Sequence, residues 1–94
     1  MRYICIEFET YEDRVPQTIY SEIDDLGYEV RKIEIYFDGT VGYASYEREV
    51  GKTLLADQMI PTVDDINIEK DVRAIHLTNK EFESLWLKYT QESY

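Results

Sequence analysis

A chain of 94 residues can enclose one hydrophobic core and is too short for two, and a composition of 44% hydrophobic and 14% aromatic residues is that of a folded globule. Twenty acidic residues against ten basic ones give a formal net charge of -10. Such a charge repels phosphate backbones and anionic membrane surfaces and speeds the approach of a basic partner, so nucleic acid and membrane are excluded as expected partners.

The opening MRYICIEFET alternates apolar residues with charge and lacks the unbroken apolar stretch of a secretory signal. No apolar run nears the ~20 residues needed to cross a bilayer. The expectation is one unprocessed cytoplasmic domain spanning 1–94, with nothing that sets its oligomeric state. Cys5 is the sole cysteine, which rules out an intrachain disulfide.

Within residues 3 to 9, Ile4, Ile6 and Phe8 fall on one side of a strand and Tyr3, Cys5, Glu7 and Glu9 on the other. The pattern breaks at YEDRVP, and because Pro16 cannot donate to a ladder, the second strand is expected in QTIYSEID, with Ile19 and Ile23 inward and Tyr20, Glu22 and Asp24 outward. After the DDLG turn, YEVRKIEIYF is a long strand in which Val30 and Ile33 lie on opposite parities, so a bulge or strong twist is expected near Arg31 and Lys32.

Asp38-Gly39 marks a hairpin with two possible registers. A two-residue loop pairs Phe37 with Thr40 and leaves Val41 and Tyr43 in water. A three-residue loop with Gly39 as a left-handed bulge pairs Tyr36 with Thr40, sets Ile33 beside Tyr43 and Ile35 beside Val41, and is preferred because it buries apolar residues of both strands together. Tyr36 and Glu34 face outward in either register, and Tyr46 joins them in the preferred one.

Beyond Gly51, TLLAD is read as a short edge strand. PTVDDIN is read as a proline-led helical turn with Asp64 and Asp65 near its positive end, and DVRAIHL as a strand with Val72, Ala74 and His76 on one side. Thr78 and Glu81 form a capping box, and Phe82, Leu85, Trp86 and Tyr89 recur at helical spacing. The fold class expected is α+β, a four- to five-stranded antiparallel sheet with the C-terminal helix packed on one face.

Catalytic chemistry finds little support. Paired carboxylates such as Asp24 and Asp25, Glu47 and Glu49, or Asp64 and Asp65 point to opposite faces or lack the spacing of a calcium loop, so no metal site is expected. A nucleophile needs a neighbouring base, and His76, the only histidine, sits in an apolar run. No glycine-rich phosphate loop exists, no cofactor is implied, and an enzyme using Cys5 or His76 is the weaker rival reading. The outward positions Tyr3, Glu7, Glu9, Tyr20, Glu22, Asp24, Glu34, Tyr36 and Tyr46 instead make a tyrosine and carboxylate surface, suited to a basic protein.

Tyr3-Ile4, Glu29 to Ile35, Phe37-Asp38-Gly39, Gly42-Tyr43-Ala44 and Glu81 to Trp86 resemble a family of small, largely uncharacterised bacterial proteins, with Pro16, Pro61 and Ile66 also in place and Phe8 where a tryptophan is expected. The resemblance covers nearly the whole chain. It implies an immunity protein that neutralises a toxin exchanged between competing bacteria, many such toxins being nucleases, and it assigns no catalytic residues. The partner-binding residues expected on these grounds are Glu22, Asp24, Glu34, Tyr36, Tyr46, Glu47 and Glu49, with a regulatory or adaptor module as the alternative function.

Overall fold

Residues 1–12 and 15–91 are described by a computed structural model. β1 (Arg2–Phe8), β2 (Pro16–Ile23), β3 (Glu29–Tyr36) and β4 (Val41–Ser45) follow one another as an antiparallel meander. A two-residue strand, β5 (Glu49–Val50), closes one edge, and β6 (Val72–Leu77) pairs with β1 at the other, giving the order β5-β4-β3-β2-β1-β6. Two helices complete the chain, a single turn α1 (Val63–Ile66) and α2 (Asn79–Thr90). The α+β architecture matches expectation with more strands than expected. TLLAD is not one of them: β5 precedes it, and the chain after Gly51 leaves the sheet edge to cross a face.

The β3–β4 hairpin adopts the three-residue register. Ile33 pairs with Tyr43 and Ile35 with Val41, and Tyr36 N–H donates to Thr40 O at 2.9 Å around Gly39, whose φ is 87°. Tyr43 is buried as that register requires. The expected bulge is also present: Glu22 pairs with Arg31 but Ile23 with Glu29, so Val30 is an extra residue on β3.

Which face is covered by what differs from the sequence reading. α2 does not lie on the side of Ile4, Ile6 and Ile23 but on the opposite one, which Ile33 shares with Tyr20 and Tyr43. Its Phe82 ring lies tilted against Tyr3 with centres 5.4 Å apart, its Trp86 meets Tyr43 edge-on at 5.6 Å, and its Tyr89 lies 6.5 Å from Tyr20. The helix begins at a complete capping box, with Thr78 Oγ1 accepting from Glu81 N–H and Glu81 Oε1 accepting from Thr78 N–H. Phe82 is fully buried, a burial that contributes about 1.5–3 kcal/mol.

The side of Ile4, Ile6 and Ile23 is filled instead by the connection between β5 and β6. Val63 of α1 packs on Ile4, Ile23 and Ala74, with Ile6, Ile60 and Ile66 around them. Thr62 caps α1, accepting from Asp65 N–H at 3.2 Å, and Asp64 and Asp65 stand in its first turn as expected. The sheet is therefore the middle of three layers, because β1 and β2 carry large apolar groups on both parities and neither face can be left in water. His76 falls on the same side as Val72 and Ala74 by register, but β6 is an edge strand and the imidazole is exposed rather than half-buried.

Candidate functional site

The covering of both faces redistributes the seven residues expected to bind a partner. Glu22 lies beneath α2, buried, with Arg31 Nε donating to its Oε1 at 2.6 Å and Arg31 Nη2 to its Oε2 at 2.9 Å. Arg31 also pairs with Glu83 of α2 and lies 5.0 Å and 5.1 Å from the ring centres of Phe82 and Trp86. This bidentate contact holds the Glu83 carboxyl below its usual range, and the two carboxylates push the guanidinium pKa further up. The tyrosine and carboxylate face is thus a helix-docking surface, not an open one, which corrects the outward placement of Tyr3, Tyr20 and Glu22.

Glu34 is drawn into the opposite layer. Thr53 Oγ1 donates to its Oε1 at 2.7 Å and Tyr36 Oη to the same oxygen at 3.1 Å. Beside it, Lys32 Nζ bonds Glu29 Oε1 at 3.0 Å and Leu54 O at 3.1 Å, and Glu29 further accepts from Ser21 Oγ at 2.7 Å and from Ala56 N–H at 2.8 Å. These polar groups hold the 53–56 stretch across the sheet, so Glu34 serves the fold rather than facing solvent. Desolvation, then the Glu34 charge, raises the Tyr36 hydroxyl pKa. Tyr36 itself is only partly buried. Asp24 accepts from Leu26 N–H at 2.9 Å and Tyr28 N–H at 3.0 Å, an Asx turn that shapes the β2–β3 connection. Tyr46, Glu47 and Glu49 remain exposed.

Those three share an end of the sheet with a cluster that sequence periodicity did not single out. Arg31 pairs with Ser45, which sets the 46–48 turn beside the 24–28 turn. There Leu26 is 73% exposed, Tyr46 73%, Met59 62% and Tyr28 41%. Ile60 N–H donates to Gly27 O at 2.8 Å, and the Met59 methyl lies 3.1 Å from where a Cβ on Gly27 would stand, so the loop and the turn are in contact. Exposed carboxylates stand close to them in the chain: Asp25 beside Leu26, ion-paired to the Met1 amino group at 2.7 Å, Glu47 beside Tyr46, and Asp57 two residues before Met59. Leu26 and Met59 lie in loops, where no period distinguishes an exposed apolar residue from a core one. The signal in the sequence for Leu26 is an apolar side chain between turn-forming Asp25 and Gly27; Met59, between Gln58 and Ile60, has none.

The residues of the catalytic rival are separated. Cys5 is buried under α2, and burial, reinforced by Glu7, pushes its thiol up to about 11, far from a thiolate at neutral pH. His76 pairs across from Ile4 and so lies on the other face of the sheet. Among the described residues no three His, Cys, Asp or Glu side chains gather as metal ligands, and no helix is long and apolar enough to cross a membrane.

A family model matches residues 2–91. The chain belongs to the family described as a domain of unknown function, DUF6881. The match takes in all six strands and both helices, so the three-layer arrangement lies within the family domain. No curated protein and no solved structure matches the chain.

Proposed function

We propose that this domain is a non-catalytic binding protein of the immunity type, which neutralises a basic toxin domain by docking it at the sheet end formed by Leu26, Tyr28, Tyr46 and Met59. The observation that carries this reading is the set of exposed apolar residues at one end of the sheet with exposed carboxylates adjacent to them in the chain. Aliphatic and aromatic side chains supply buried contact area, and the surrounding acids select a cationic surface and steer it in. Across the described residues thirteen acidic side chains are exposed against six basic ones, so the field favouring such a partner extends well beyond the contact itself. A nuclease fits this description because it grips a polyanion with lysines and arginines, and an anionic protein competes for the same groups.

The test is whether the product of the adjacent gene is a toxin that this protein binds and inhibits. Reversal of charge at Glu47 and Asp57 together is expected to slow association about tenfold at low salt and to flatten its salt dependence, and Leu26→Asp to speed dissociation. Unchanged kinetics in all three substitutions would remove this end of the sheet as the docking site. Failure of the wild-type protein to bind the neighbouring product would count against the immunity reading itself.

A further inference from the structure

At the opposite end of the sheet the β3–β4 hairpin borders, with Tyr11, Glu12 and Val15, a groove of about 1230 Å³. Tyr11, Tyr36 and Phe37 supply its aromatic walls, Glu12 and Asp38 its carboxylates, and Lys52 one cation on the Gly51 side. Tyr11 and Phe37 meet edge to face, with ring centres 5.2 Å apart and planes at 72°, although Tyr11 is 67% exposed. An aromatic pair left open in this way shows negative ring faces to solvent. Asp38 adds a fixed charge: it accepts from Thr40 N–H at 2.9 Å and from Thr40 Oγ1 at 2.7 Å, bonds that hold its carboxyl below the usual range.

We propose that this groove receives an arginine side chain from an extended segment of a protein. Ring faces and carboxylates together attract a cation, and a planar guanidinium both stacks on aromatic rings and pairs with a carboxylate, which an ammonium does less well. The groove is larger than the ~300–1,000 Å³ typical of small-ligand pockets, so it has room for the backbone that carries the side chain. Lys52 opposes a second positive charge on its side, so the segment presents one cation here rather than a basic run. This site is separate from the apolar cluster around Leu26 and does not depend on that cluster binding a toxin.

The experiment is a titration of the isotopically labelled protein with acetyl-Gly-Ser-Arg-Ser-Gly-amide, followed by amide chemical shifts, alongside the same peptide with citrulline or lysine in place of arginine. Citrulline keeps the shape and hydrogen-bonding plane and removes the charge. The arginine peptide is expected to shift the amides of residues 36–41, with citrulline at least about fivefold weaker and lysine weaker than arginine. Tyr11→Ala, an exposed position whose loss leaves the core intact, is expected to weaken binding about fivefold. Asp38→Asn keeps an acceptor for Thr40 and is expected to weaken binding and reduce its salt dependence, Glu12 remaining in the groove. Equal binding of the citrulline or the lysine peptide, unchanged affinity in Tyr11→Ala, or shifts confined to residues 24–28 would overturn the proposal.

Discussion

Gly42 illustrates how one side chain's absence organises a layer. A Cβ built there would stand 2.2 Å from Thr53 Oγ1 and 3.0 Å from Val50 O, so only hydrogen lets Thr53 reach across β4 to Glu34. Gly42→Ala is expected to cost about 1–3 kcal/mol, read as a lower urea midpoint, because one of the two obstacles is backbone and cannot swing aside. Glu83 governs a different property. Its carboxyl is held below the ordinary value of 4.5 by Arg31. A depressed folded-state pKa adds stability above the unfolded value and loses it as pH falls through the folded one. Wild-type protein should therefore destabilise as pH drops below about 4.5, and Glu83→Gln should show a shallower loss over that window, measured by thermal melts at fixed ionic strength. Since Glu83 is 44% exposed, solvent screening keeps the difference small.

Among the elements, β6 is an exposed edge that the fold closes with a single amide. Asn67 Nδ2 donates to Ala74 O at 2.9 Å and its Oδ1 accepts from Ala74 N–H at 2.7 Å, which imitates the ladder bonds of a further strand. Asn67→Ala is expected to speed hydrogen exchange at the Ala74 amide by tenfold or more and to promote self-association at high concentration, while Asn67→Gln should restore neither bond. The sequence showed β1 to β4 and β6, the hairpin register, a bulge near Arg31 and the α2 cap, because each is dictated by neighbours a few residues apart, whereas β5 was missed and TLLAD is not a strand. Which face α2 would choose was not legible: Tyr3, Tyr20 and Glu22 read as solvent-facing on polarity alone. Their burial depends on Arg31, Phe82 and Trp86, partners that are distant in the chain. The same holds for Glu34, whose partner Thr53 lies in a stretch without periodicity. Of the expected contact residues, Tyr46, Glu47 and Glu49 lie in or beside a short turn, where exposure follows from local geometry.

At the scale of the molecule, internal cations are shared between the two covering layers, Arg31 under α2 and Lys32 under the 53–56 stretch. The excess negative charge is left at the surface, where it repels itself. Raising sodium chloride from about 20 to 200 mM, across which the screening length shrinks several-fold, is expected to raise the urea midpoint. Insensitivity to salt would mean the exposed acids lie too far apart to repel one another. The allocation of Arg31 and Glu29 to opposite layers follows from the extra residue at Val30, and this makes chain length itself a constraint. Deleting that position would bring Glu29 into the wrong phase and send its carboxylate toward α2, leaving Lys32 without its closest counter-ion. A relative sharing this interior must therefore count the same number of residues from Glu29 to Ile33.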